Sequence, residues 1–249
     1  MKHYESFTYN NLGSIEMGVT QVSVSGGLYE DDLLSSRSVE IENTKARNIG
    51  FLKNVTKENI QLSLTLFLEN GADEDQLNKI RSWLEVDYFK PFFFDENPNK
   101  IAFLMLNGTP KIYHDGINGY ITVDMVSNSP YWYSPYVIDE LSSSQSSLIR
   151  NNGIYEINPV IEVRAKENIV STPAKIINRR DNSFFEIYKM QKGETLRIDC
   201  ENKYIKSDLP NVYRWSDCNE RYLSLLVGDN QIEVQGDIEV TMKYRLVYG

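Results

Sequence analysis

The sequence has few of the residues on which enzymes and metal sites depend. It contains two histidines, His3 and His114, and neither has a second histidine or a cysteine at metal-ligand spacing. Phosphate-binding loops, dinucleotide-binding glycine motifs and nucleophile elbows do not occur in it. Acidic pairs such as Asp31-Asp32 and Asp95-Glu96 are present, but the second pair is typical of a turn. We therefore expect no catalytic, cofactor-binding or metal-binding residues, and no cofactor.

Cysteine is also scarce. Cys200 and Cys218 show no CxxC spacing, and a secreted disulfide scaffold would carry many more. Two reduced, packed thiols are the favoured interpretation, and a disulfide is the alternative. The N-terminal residues 1–10 lack the apolar segment of a signal peptide, and apolar runs such as residues 91–94 are too short to span a bilayer. We expect synthesis and folding in a reducing cytoplasm.

Positive charge is in deficit. Lysine and arginine number 26 against 35 acidic residues, which gives a net charge of -9 and an isoelectric point near 4.9. A protein that binds nucleic acid neutralises phosphates with clustered lysine and arginine, and this chain has no basic run. We expect neither direct nucleic-acid binding nor binding to an anionic membrane.

Aromatic residues are abundant, with 16 Tyr, 10 Phe and 3 Trp, and apolar residues recur with the period of a β-strand. Residues 60–68 place leucine or isoleucine at every second position, and residues 238–248 repeat this pattern with polar residues between. Such alternation lines one face of a strand and favours antiparallel sheets. The sequence predicts a mainly β protein.

One helix is predicted over residues 72–86. Acidic residues crowd its first turn, where the helix dipole favours them, and Leu77, Ile80 and Leu84 form one apolar stripe with Trp83 beside it. The residues before Gly153 include a serine-rich stretch at 141–147, which we interpret as a linker. This predicts two domains, residues 1–137 with the helix and residues 138–249 as a β-sandwich.

An aromatic cluster, SPYWYSPY at residues 129–136, precedes that stretch. We interpret it as a hydrophobic plug at the end of the first domain. The alternative, which is more specific, is a platform on which carbohydrate rings stack.

A series of short motifs in order resembles the distal tail proteins (Dit) of long-tailed, non-contractile bacteriophages, the siphovirus tail component family. In the first half they are FTYNNLGSIEMGV (7–19), IRSWL (80–84), FFFDENP (92–98) and VSNSPYWY (126–133). In the second half they are NG (152–153), PVIEV (159–163), GETLRID (193–199), LSLLVGDNQI (223–232) and the final YR (244–245). The chain departs from the family at IENTKAR (41–47), where relatives carry a glycine-rich turn, so the resemblance does not fix the geometry of the hairpin there.

The resemblance implies an N-terminal split-barrel-like β domain and a C-terminal galectin-like β-sandwich. It implies a homo-hexameric ring that joins the tail tube protein to the tail-tip fibre protein with its lysin, and onto which receptor-binding proteins dock. It places the protein in the virion at the tail tip, after assembly in the host cytoplasm, with a structural and non-enzymatic role.

Two other functions are weighed against this one. A carbohydrate-binding module of a phage adsorption device agrees with the sandwich and the aromatic residues, but residues 138–249 contain no histidine and only one tryptophan, Trp215. A tail-associated hydrolase agrees poorly with the lack of catalytic motifs.

Overall fold

The computed structural model describes residues 6–22, 36–43, 45, 48–68, 73–115, 118–143 and 146–249. His3 and the Asp31-Asp32 pair lie outside these residues. The chain divides into two compact units, Met1–Tyr133 together with Gly249, and Ser134–Tyr248.

The first unit is built around a curled, half-barrel sheet. Its described strands are β1 (Phe7–Tyr9), β2 (Leu12–Gly13), β3 (Val19–Gln21), β4 (Arg37–Glu42), β5 (Phe51–Lys57), β6 (Gln61–Leu68), β7 (Lys90–Phe94), β8 (Ala102–Leu106), β9 (Lys111–His114), β10 (Gly119–Ser127) and β11 (Trp132–Tyr133). The sheet order is β2-β1-β7-β8-β10-β6-β3, with β9 also paired to β10, and every pairing is antiparallel.

The predicted leucine strand is confirmed as β6, in register with β10 along its whole length. Leu64, Leu66 and Leu68 are buried, while Gln61 and Ser63 are exposed. Because β10 alternates buried and accessible residues in the same way, these two neighbouring strands present one apolar face to the core and one accessible face outward.

The predicted helix is confirmed as α1 (Glu74–Leu84), within the predicted 72–86. Asp73 caps it by accepting a hydrogen bond from the Gln76 N–H (3.4 Å), as an N-cap carboxylate does. Its buried residues are Leu77, Ile80, Trp83 and Leu84. Trp83 is therefore part of the buried stripe, and its Nε1–H donates to the Tyr9 carbonyl oxygen (2.9 Å), which fixes the helix to β1.

The second unit is a sandwich of two antiparallel sheets. Its strands are β12 (Val137–Ser142), β13 (Ser146–Asn151), β14 (Val160–Ala165), β15 (Ala174–Asn178), β16 (Ser183–Ile187), β17 (Thr195–Asp199), β18 (Tyr204–Ser207), β19 (Gly228–Gln235), β20 (Ile238–Tyr244) and β21 (Val247–Tyr248). One sheet has the order β12-β20-β14-β17-β18 and the other β13-β19-β15-β16. A single apolar core receives side chains from both sheets, as in aligned sandwiches.

The serine-rich stretch is not a linker, and that interpretation is wrong. Residues 137–142 and 146–151 form β12 and β13, which belong to different sheets. Leu141 and Ile149 are buried in the core of the second unit, while on the same strands Ser142 and Ser146 are exposed and Ser147 is half-buried. These three serines therefore occupy accessible strand positions, and Ser143 lies in a turn.

Candidate interaction surfaces

An apolar ribbon extends from the first unit as a pair of strands, β4 and β5, which pair with each other and with no other described strand. Cross-strand partners on one face are Val39 with Val55 and Ile41 with Leu52. These four side chains are 44–65% exposed. We call this surface the apolar arm face.

The opposite face of the ribbon is mainly polar, but it also carries Phe51, which pairs with Glu42 and is 48% exposed. There the Lys53 ammonium pairs with the Glu40 carboxylate (2.6 Å), with both side chains more than half exposed. A two-stranded ribbon is at best marginally stable alone in water, and an exposed apolar face of this kind marks an interaction surface. The ribbon therefore has the character of an arm that packs against another surface.

The geometry of this hairpin could not be predicted from the resemblance, because the chain departs from the family where relatives have a glycine-rich turn. Alternating apolar residues in RSVEIE (37–42) are the sequence signal for β4. The structure shows that β4 ends at Glu42 and β5 begins at Phe51, with an irregularity of register between Glu40 and Ile41. Such a bulge changes the twist of a ribbon while keeping both strands paired.

The aromatic cluster at residues 129–136 is packed in part. Trp132 lies against Phe92 and Phe94, with ring centroids 6.5 and 6.4 Å away. Tyr133 exchanges backbone hydrogen bonds with Ile101 (2.7 and 2.8 Å). Tyr136 is exposed and carries the Lys243 and Arg245 cations over its ring, at 4.3 and 3.9 Å from the centroid. The plug interpretation therefore describes Trp132 and Tyr133, but not Tyr136.

The family motif at residues 223–232 is organised by one buried asparagine. The Asn230 side chain donates to the carbonyl oxygens of Leu226 (2.7 Å) and Gly228 (3.0 Å) and accepts from the Leu226 N–H (2.9 Å). Gly228 has φ +95°, a conformation that favours glycine. The motif therefore fixes a tight turn before β19, and its role is structural.

The described residues considered for chemistry lie in different elements of the first unit. His114 is exposed at the end of β9, and Asp95-Glu96 lies in a turn where Asp95 accepts from the Thr8 hydroxyl (2.7 Å). Among the described residues, no three side chains are grouped as metal ligands. The described part of the chain also holds no helix long and apolar enough to cross a membrane.

Both cysteines are buried free thiols, as the favoured interpretation has it. Burial raises the pKa of Cys200 and of Cys218 to about 12. Because the thiolate is the reactive form, both side chains are inert at neutral pH and serve as core residues.

Comparison with known proteins places these features in a family. Residues 2–129 match the phage tail protein N-terminal domain, and residues 152–248 match the siphovirus-type tail component C-terminal domain. The chain belongs to the phage tail proteins defined by the first of these domains. Its C-terminal part is of the siphovirus-type tail component kind, so the protein is a phage tail component.

Relatives of this phage tail protein match it over its full length. The SPbeta prophage-derived uncharacterized protein YomH of Bacillus subtilis (strain 168) is 27% identical over 254 aligned positions, which cover 100% of this chain and 99% of YomH. The crystal structure of the SPP1 Dit protein (gp 19.1), described as a paradigm of hub adsorption apparatus in phages that infect Gram-positive bacteria, covers 100% of both chains with a TM-score of 0.75 at 12% identity. The mainly β fold with one helix is therefore that of Dit.

Proposed function

We propose that this chain acts as a distal tail protein at the baseplate hub of the phage tail tip, where it forms a closed homo-hexameric ring through its N-terminal half. The ring connects the tail tube protein on one side to the tail-tip fibre protein and its lysin on the other, and receptor-binding proteins dock on its outside. The observation that supports this proposal is the apolar arm face, with Val39, Ile41, Leu52 and Val55 all exposed.

In a ring, each subunit uses two different surfaces: one contacts the next subunit and the other contacts the preceding subunit. Contacts of this head-to-tail kind close into a ring when the rotation between neighbours is fixed. The β4–β5 ribbon, which is exposed on both faces in the single chain, supplies the surface that contacts the next subunit. When a neighbour covers the apolar arm face, burial stabilises both the ribbon and the contact, at about 25 cal/mol for each Å² of apolar surface removed from water.

The remaining parts of the proposal follow from charge and from family. The protein has a structural role without enzymatic activity. It does not bind DNA tightly, because a net charge of -9 and the lack of a basic run suit a conduit through which DNA slides. The two units fold as separate domains, the second with a galectin-like arrangement. Assembly takes place in the host cytoplasm before the protein enters the virion. Zymography on host cell wall checks the lack of activity, and a cleared band would contradict it.

The ring is tested by mass photometry of the full chain across protein concentration and salt. We expect hexamers at moderate salt and fewer at low salt, because six acidic subunits repel one another when screening is weak. Ile41→Asp should abolish the rings by placing a charge on the apolar arm face. Thr56→Asp adds the same charge to the opposite face of β5 and is the matched control. A wild-type chain that stays monomeric at high concentration and moderate salt contradicts the proposal, and so does an unchanged hexamer in Ile41→Asp.

A further inference from the structure

A loop of the second unit, residues 208–218, bridges the edges of the two sheets, and we call it the aromatic loop. It follows β18, the edge strand of one sheet, and ends beside β16, the edge strand of the other. The Asp208 N–H donates to the Thr195 carbonyl oxygen (3.0 Å), and the Tyr188 N–H donates to the Asp217 carbonyl oxygen (2.8 Å). Backbone hydrogen bonds therefore fix both ends of the loop.

A buried ion pair fixes the middle of the aromatic loop. Arg214 donates from Nε to Glu194 Oε1 (2.9 Å) and from Nη2 to Oε2 (2.8 Å), with side-chain exposures of 6% and 0%. The Ser207 hydroxyl (2.7 Å) and the Gln191 N–H (2.8 Å) also donate to this carboxylate. Burying such a pair costs desolvation free energy and often adds little net stability. What the bidentate geometry does provide is one defined position for the loop.

The two neighbours of Arg214 are aromatic and face solvent. Tyr213 is 86% exposed and Trp215 is 46% exposed. Within the described residues, neither the Tyr213 hydroxyl nor the Trp215 Nε1–H makes a hydrogen bond. Aromatic side chains on a backbone held in place bind a ligand with little ordering cost. We infer that Tyr213 and Trp215 form a binding site for a neutral oligosaccharide.

The size and surroundings of the site favour a sugar over a protein. A stable protein interface buries about 800 Å² on each partner around an apolar centre. Two aromatic side chains contribute at most about 500 Å², which falls short of such an interface. The other exposed residues of this stretch are mainly polar, among them Asp208, Asn211 and Ser216. A pyranose ring fits such a site because its C–H face stacks on an aromatic ring while its hydroxyls bond to the polar side chains.

The charge of the site indicates a neutral sugar. Exposed charges of both signs lie on the loop and next to it, Asp208 and Glu220 with Lys206 and Arg221. No excess of one sign among these residues selects an anionic or a cationic ligand. An uncharged oligosaccharide fits such a site.

The test is titration of the full-length protein with tetramers of N-acetylglucosamine, of β-1,4-linked glucose and of α-1,4-linked glucose. Isothermal calorimetry and saturation-transfer NMR supply the readout. We expect saturable binding of at least one tetramer, and we expect Trp215→Ala and Tyr213→Ala each to weaken it by about tenfold or more. Tyr204→Ala is the matched control, because Tyr204 is 53% exposed on β18 and lies outside the aromatic loop.

All three variants change exposed side chains, so an unchanged thermal midpoint shows that each is folded. The inference is overturned if none of the tetramers binds at about 10 mM, a concentration well above that needed for a weak site. It is also overturned if binding survives Trp215→Ala, or if Tyr204→Ala weakens it equally. Failure of this test leaves the hexameric ring standing, because the ring rests on the first unit.

Discussion

Leu64→Asp should unfold the first unit while the second stays folded. Leu64 lies in the middle of β6, is 2% exposed and pairs with Val123 of β10. Truncating a buried leucine costs about 2–5 kcal/mol, and an unpaired buried carboxylate adds further cost of about 1–3 kcal/mol or more. The total reaches the lower part of the about 5–15 kcal/mol by which a whole domain is stable.

Thr65→Asp is the matched control, one residue further along β6. Thr65 points to the opposite face, is half-buried and pairs with Thr122. A carboxylate there keeps access to water, so the loss should be within about 1 kcal/mol. The two variants carry the same charge and differ in which face of the strand receives it.

The assay is urea denaturation followed by tryptophan fluorescence. Trp83 and Trp132 lie in the first unit and Trp215 in the second, so a Trp215→Phe background reports on the first unit alone. Leu64→Asp should show the emission of unfolded protein without urea, and circular dichroism should retain the transition of the second unit. Equal losses from Leu64→Asp and Thr65→Asp would refute the one-sided burial of β6. Loss of both units together would refute independent folding.

Two further predictions concern the second unit. Asn230→Ala should lower its free energy of unfolding by about 1–3 kcal/mol for each buried group left without a partner, whereas Gln231→Ala, at the exposed next position, should change little in the same urea titration. Glu194 makes stability depend on pH: burial raises its pKa, but hydrogen bonds from Arg214, the Gln191 N–H and Ser207 outweigh burial and lower it below the ordinary value. A depressed carboxyl pKa stabilises the fold above the unfolded pKa, and that stabilisation is lost as pH falls through the folded value. The thermal midpoint should therefore fall only below about pH 4, and a Glu194→Gln variant with the same acid dependence would contradict this.

Much of the fold was predictable because burial on one face leaves a period in the sequence. The alternation in residues 60–68 and 238–248 predicted β6 and β20, and the acidic first turn with its apolar stripe predicted α1. The serine-rich stretch was misread because serine is common in linkers and equally acceptable on the outer face of a strand. Buried Leu141 and Ile149 were the signal that could have identified β12 and β13.

The proposed surfaces were less predictable than the fold. The apolar arm face is recognised by the exposure of its side chains in the described part of the chain, which no local pattern reveals. The aromatic loop depends on Arg214 meeting Glu194, and these residues are brought together by the sandwich, not by sequence spacing. Trp215 was visible in the sequence as the one tryptophan of the second unit. Only its exposure, beside a buried arginine, distinguishes it from a core anchor.

The ring and the sugar site together predict avidity. A single Trp215 site is shallow and should bind a tetrasaccharide weakly, but a hexamer presents six copies to one polymer chain. Linked weak sites gain about 10²–10⁴ in overall affinity when the polymer reaches more than one of them. Ile41→Asp monomers and wild-type hexamers should therefore bind a tetrasaccharide equally in calorimetry. On an immobilised polysaccharide of the same repeat, measured by surface plasmon resonance, the hexamers should dissociate far more slowly. If monomers and hexamers dissociated from the polysaccharide at equal rates, the six sites of a ring could not bind one polymer chain together, and the prediction of avidity would be wrong.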